Sequence, residues 1–194
     1  DNGLWVSDYD SLVADDNVVI TSSTITGISA GNITYTADGG TFNQGIVIWV
    51  GTQNDSIAIS SVNLSDVTVT TLYSNTGADV ITVTAVDDLV NPAHDALSTE
   101  DARRLRIYGQ DGADQINAQA ATLALEIFGE ANDDWIYGSR GNDVIYGDSG
   151  DNIIYGGDGQ DKLFAGNGED IIVGDNGQIT VDGNGIRTLL TTDV

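Results

Sequence analysis

Cysteine and methionine are absent from the 194 residues, proline and histidine occur once each, and none of the six basic residues precedes Arg103. Without thiols, neither disulfides nor thiolate metal sites can form. Thirty acidic residues against six basic ones give a formal net charge of −24, so nucleic acid is not expected as a partner. No apolar run approaches the ~18 residues of a membrane-spanning helix, and no secretory leader is recognisable. We expect no membrane insertion, and read the stretch as a piece of a longer mature chain.

What is abundant points elsewhere. Apolar residues make up 40% of the chain, with many Val, Ile and Thr, and there are 24 glycines. That composition favours ordered β structure over acidic disorder. Dense glycine suggests a repeat architecture rich in tight turns. Something must also offset the repulsion among the carboxylates.

From Gly129 the chain falls into nines: GEANDDWIY, GSRGNDVIY, GDSGDNIIY, GGDGQDKLF and AGNGEDIIV, then a decaying GDNGQIT. The first place is Gly, or once Ala165, and the fourth is usually Gly. The sixth is Asp134, Asp143, Asn152, Asp161 and Asp170; the eighth is Ile136, Ile145, Ile154, Leu163 and Ile172. A six-residue turn followed by a three-residue strand with one inward apolar side chain is half a coil around a thin core. Two units close one coil, and coils stack as parallel strands ~4.8 Å apart.

Sixth-place side chains 18 residues apart then lie one above another along an edge. Stacked carboxylates need a cation, and oxygen-only ligands in flexible glycine loops suit several Ca²⁺ ions better than Mg²⁺. The candidate ligands are Asp114, Asp134, Asn152 and Asp170 on one edge and Asp143 and Asp161 on the other. The fourth-place Gly112, Gly141, Gly150, Gly159 and Gly168 shape the cages. Turn-forming preference alone explains isolated Asp and Gly, but not Asp at one place in successive units.

The array resembles the RTX family, whose Gly-Gly-x-Gly-x-Asp-x-apolar-x nonapeptides form calcium-filled parallel β-rolls. The likeness covers Gly129 to about Gly177, with Gly109 to Asn117 as an earlier unit. Asn152, Ala165 and Asn132 depart from the motif and should weaken their cages. The resemblance implies an extracellular or bacterial cell-surface location, one-step secretion and folding on meeting external calcium.

Looser copies lie upstream, NTGADVITV around Asp79 and QNDSIAI around Asp55, and Asp79 joins the candidate metal ligands. Ile57, Ile81, Ile116, Ile136, Ile154 and Ile172 then mark one inward column. We expect an all-β, right-handed parallel β-solenoid: wide β-helix rungs over 1–85, an excursion over 86–106 with a short helix from Ser98 and Asp101, an RTX-type β-roll over 107–177, and a hairpin or cap over 178–194 turning at Asp182 to Gly185. Asn32 to Thr36, Ile46 to Val50, Asp66 to Thr70 and Val80 to Thr84 read as strands of the wide rungs.

Seventh- and ninth-place side chains point outward. One face presents Trp135, Tyr137, Ile153, Tyr155, Ile171 and Val173, with no charge among them. Aromatic stacking along a ladder accounts for the ring positions, but a contiguous patch of this size usually meets a partner. We expect the excursion, the hairpin or a neighbouring protomer to cover it. The opposite face mixes Arg106, Glu126 and Lys162 with Tyr108, Phe128, Tyr146 and Phe164.

His94 stands in no nucleophile motif, and we expect no enzyme activity and no catalytic residues. The favoured function is a calcium-stabilised structural or adhesive segment of a large secreted or surface bacterial protein, assembling through its apolar face. Partners would be other copies, neighbouring segments of the same chain, or cell-surface glycans. The alternative is a calcium-dependent secretion and folding module of an RTX enzyme or toxin. A polysaccharide-acting β-helix enzyme is disfavoured, because residues 1–102 contain no Lys or Arg.

Overall fold

The computed structural model describes residues 3–8, 17–21, 23–28, 33–34, 45–62, 69–84, 105–174, 178–181 and 187–190. These are all β, with no helix among them, so no described helix could cross a membrane. Strands are numbered in chain order. One sheet runs Leu4–Ser7 (β1), Ile46–Trp49 (β5), Thr70–Tyr73 (β7), Leu105–Asp111 (β9), Leu125–Ala131 (β11), Val144–Tyr146 (β13) and Lys162–Phe164 (β15), every neighbour parallel.

The other sheet carries Val18–Ile20 (β2), Ser56–Ile59 (β6), Val80–Val83 (β8), Gln115–Asn117 (β10), Trp135–Tyr137 (β12), Ile153–Tyr155 (β14) and Ile171–Val173 (β16), again in parallel. The chain therefore alternates between two sheets, adding one strand to each per coil. This is the pattern of a β-solenoid. Gln178–Val181 (β17) and Arg187–Leu190 (β18) pair antiparallel as a separate ribbon.

The core is one side chain deep on each sheet. Ile57, Ile81, Ile116, Ile136, Ile154 and Ile172 stack in register in the second sheet. Ile48, Leu72, Ile107, Ile127, Ile145 and Leu163 do so in the first. Nearly all are fully buried, each worth roughly 1.5–3 kcal/mol of transfer free energy. Period-2 alternation within three-residue strands sends the middle residue inward and its neighbours out.

Outward on the first sheet, Trp49, Tyr73, Tyr108, Phe128, Tyr146 and Phe164 form one continuous ladder. Their ring centroids are 4.6–5.4 Å apart and their planes within 14° of parallel. Parallel in-register pairing places like residues directly above one another, so rings stack face to face. Trp49 and Tyr73 extend the ladder beyond the ninefold repeat.

The first half departs from uniform parallel rungs. Beyond β2 the second sheet continues antiparallel through Thr24–Thr26 (β3) and Ile33–Thr34 (β4). A tight turn causes the reversal: Thr21 N–H donates to Thr24 O at 2.9 Å, while Thr24 N–H donates to Thr21 Oγ1 at 2.8 Å. Of the strand read at Asn32 to Thr36 only Ile33–Thr34 is strand among described residues; of the one read at Asp66 to Thr70, residues 66–68 lie outside the described residues and Thr70 opens β7. Leu105 and Arg106, read as excursion, already belong to β9. Residues 85–104, including His94 and the expected helix, and the turn 182–186 lie outside the described residues.

Candidate metal centre

The turns that lead into strands of the second sheet each end in a sixth-place residue, buried except at half-buried Asp170. These residues form a chain of side-chain to backbone bonds. Asp55 N–H donates to Asp79 Oδ1 (2.8 Å), Asp79 N–H to Asp114 Oδ1 (2.8 Å), and Asp114 N–H to Asp134 Oδ1 (2.9 Å). Asp134 N–H donates to Asn152 Oδ1 and Asn152 N–H to Asp170 Oδ1, both at 2.9 Å. Six coils are thus joined at one edge, although their spacings run 24, 35, 20 and 18 residues.

Asp79, Asp114 and Asp134 each have Oδ1 occupied in this way. Oδ2 of Asp114 and of Asp134 is buried with no hydrogen-bond donor, as is Oδ2 of Asp79, with the Ser74 hydroxyl nearby. Burial pushes the Asp114 carboxyl up to about 8, with Asp79 and Asp134 adding repulsion against the one N–H bond that lowers it. Asp134 is pushed up to about 7 by the same loss of water, and Asp79 is raised for that reason too. A buried oxygen without a donor costs ~1–3 kcal/mol, more when charged.

Glycine keeps space beside these oxygens. A Cβ on Gly109 would sit 2.6 Å from Asp114 Oδ2 and 2.8 Å from Gly129 O; one on Gly129 would strike Asp134 Oδ2 and lie 2.9 Å from Gly147 O. Each pocket therefore combines a bare carboxylate oxygen with a carbonyl of the next coil. At the fourth place, Gly112, Gly150, Gly159 and Gly168 have φ of 152°, 126°, 123° and 142°. There a Cβ would collide with the carbonyls of Gly77, Asn132, Gly141 and Gly150 respectively. Gly141 is not in that region of φ.

At Asp143, on the other edge, the arrangement is different. Asp143 N–H donates to Asp161 Oδ1 at 2.9 Å, and Leu125 N–H to Asp143 Oδ1 at 2.8 Å. Asp143 also receives Ser139 N–H at Oδ2 (2.6 Å), with the Ser139 hydroxyl 2.9 Å from Oδ1. Its carboxyl is pushed up to about 7 by burial, against the Ser139 and Leu125 bonds. Asp161 and Asp170 are half-buried.

Two features escaped the sequence reading. Ser139 is one. The other is a second ladder at the fifth place, running in the opposite sense: Asp151 N–H donates to Asp133 Oδ1, Glu169 N–H to Asp151 Oδ1, and Gln160 N–H to Asn142 Oδ1, each at 2.8 Å. Its signal was in the sequence, since every fifth-place residue from Asp133 to Glu169 is an acceptor of the Asp, Asn, Gln or Glu type.

The apolar face is less bare than its sequence suggests. Ile153 and Val173 are buried, packed with half-buried Trp135, Tyr155 and Ile171. Half-buried Tyr137 stacks on Tyr155 at 4.4 Å.

Residues 106–120, 128–163 and 146–178 match the family profile of the RTX calcium-binding nonapeptide repeat (4 copies). This stretch is an RTX repeat array. No curated protein and no solved structure matches the chain. RTX repeats bind calcium and are typical of secreted bacterial proteins. The pockets at Asp114 and Asp134 fit that ion: a hard cation takes oxygen ligands alone, and each pocket supplies a carboxylate oxygen without a donor and a carbonyl. Among the described residues no three His, Cys, Asp or Glu side chains cluster.

Proposed function

We propose that the chain is a calcium-stabilised structural or adhesive segment of a large secreted or surface bacterial protein, with no catalytic role. One observation carries the reading: Oδ2 of Asp114 and of Asp134 is buried without a donor beside a carbonyl of the next coil. Where these carboxylates are ionised, a bound cation offsets both their desolvation cost and their mutual repulsion in this column. Asp114 and Asp134, with Gly129 O and Gly147 O, would hold ions there. Each ion at ten times its Kd adds about 1.4 kcal/mol to stability.

Further coils, from neighbouring segments of the same chain or from a second copy, would add at the open end. Ile172, 38% exposed, and Phe164, 48% exposed, lack the cover that their counterparts one coil earlier receive. The test is chelation. Circular dichroism should show the β signal weakened in EDTA, restored with Ca²⁺ and poorly with Mg²⁺; an indifferent spectrum discards the reading.

A further inference from the structure

One sixth-place residue is held differently from Asp114 and Asp134, and it closes the turn Gly138–Asp143. Gly138 keeps the cradle seen elsewhere: a Cβ there would strike Gly156 O and lie 2.7 Å from Asp143 Oδ2. Yet Asp143 Oδ2 already receives Ser139 N–H at 2.6 Å, and Oδ1 receives Leu125 N–H at 2.8 Å. The Ser139 hydroxyl takes Gly141 N–H at 2.9 Å and has one hydrogen for Leu123 O, at 2.8 Å, or Asp143 Oδ1. Asp143 and Ser139 are both about 1% exposed, so water supplies nothing further.

The backbone shows the cause. In the turns of Asp114 and Asp134, second-place Gln110 and Glu130 have φ of 70° and 74°, and fourth-place Gly112 and Asn132 have 152° and 78°. Neither Ser139 nor Gly141 has positive φ. This turn packs on 118–124, AQAATLA, which has neither Gly nor Asp: Arg140 N–H donates to Ala121 O at 3.0 Å, and a Cβ on Gly141 would run into Leu123 and Ala124 backbone. With no carboxylate on the coil beneath, the turn folds inward. Its own N–H then points at the oxygen that Asp114 and Asp134 leave bare.

We infer that Ser139 takes the place of a cation at Asp143, so that Asp143 is a structural carboxylate while Asp114 and Asp134 on the opposite edge bind ions. An N–H aimed at Oδ2 presents the positive end of its dipole where a cation would otherwise lie. The inference rests on the calcium reading and deepens it, by naming a residue with the motif's aspartate that takes no ion.

The test is calcium stoichiometry by isothermal titration on the whole chain, unmodified, Asp134→Asn and Asp143→Asn. Asn is tolerated at this place, because Asn152 occupies it with Oδ1 accepting from Asp134 N–H. We expect Asp134→Asn to lose one ion per chain and Asp143→Asn none. Loss of an ion in Asp143→Asn, or of none in Asp134→Asn, overturns the inference. An unmodified chain that takes up no calcium overturns the calcium reading itself and the inequality with it, recognisable because all three proteins then titrate alike. Calcium anomalous differences in crystals of the unmodified chain need no variant to fold: a peak beside Asp134 and none beside Asp143 is expected, and a peak beside Asp143 refutes it.

Discussion

Asn152 accepts the Asp134 N–H at Oδ1, 2.9 Å away, just as Asp134 accepts the Asp114 N–H. Its second atom is a donor, however, with Nδ2 3.3 Å from Gly150 O. Asn152→Asp would turn that donor into an oxygen. We expect the variant to bind calcium more tightly and melt higher in calcium. In EDTA it should melt lower, because a further carboxylate joins the buried column beneath Asp134. Melting curves with and without the ion check both signs.

Chelated protein should also respond to pH in a definite direction. The ordinary Asp value is 3.8, whereas Asp134 and Asp143 sit at about 7 and Asp114 at about 8 in the fold. From about pH 4 to about pH 8 the folded chain holds protons that the unfolded chain has released. Its stability therefore falls as pH rises through that window. Denaturation midpoints in EDTA should be higher at pH 5 than at pH 8. Equal midpoints would show that these carboxyls are not desolvated as described.

Glycine at the first place is required by space, with no unusual backbone angle. Gly129→Ala puts a methyl group onto Asp134 Oδ2 and close to Gly147 O. Overpacking of this kind costs ~1–3 kcal/mol, and the calcium-dependent rise in melting temperature should shrink with it. Gly174→Ala meets nothing within 4 Å and should change stability by no more than ~0.5 kcal/mol. Denaturation of the pair in calcium separates cage filling from a general cost of losing glycine.

The nine-residue period carried the register of the second half. It put Ile154 over Ile136 and Leu163 over Ile145, because 18 residues close one coil there. It also found Asp114 to Asp170 as a column. The column continues through Asp79 and Asp55 across spacings of 35 and 24, where period alone gives no register and only the phrase Asp-x-Ile survives. Trp49 and Tyr73 joined the aromatic ladder unseen for the same reason. The antiparallel β2–β3–β4 segment depended on a local Thr21–Thr24 turn, which competes with parallel stacking and leaves no periodic mark. Ser139 was overlooked because a nonapeptide motif treats its second place as Gly or filler, whereas the hydroxyl acts on a coil 16 residues back.

The aromatic ladder should behave as a chain of pairs whose middle members count twice. Tyr108 stacks on Tyr73 at 4.7 Å and on Phe128 at 4.6 Å, while among the described residues Phe164 stacks on Tyr146 alone, at 4.7 Å, and is 48% exposed. Each aromatic pair contributes ~0.5–1.5 kcal/mol beyond burial. Tyr108→Ala should therefore cost ~1–3 kcal/mol from stacking alone and Phe164→Ala about half as much. The double variant should be additive, since the two rings share no partner. Denaturant titration in saturating calcium measures all three. If Phe164→Ala costs as much as Tyr108→Ala, the ladder is not a sum of neighbour contacts, and the open end must instead be gripping something that Phe164 alone provides.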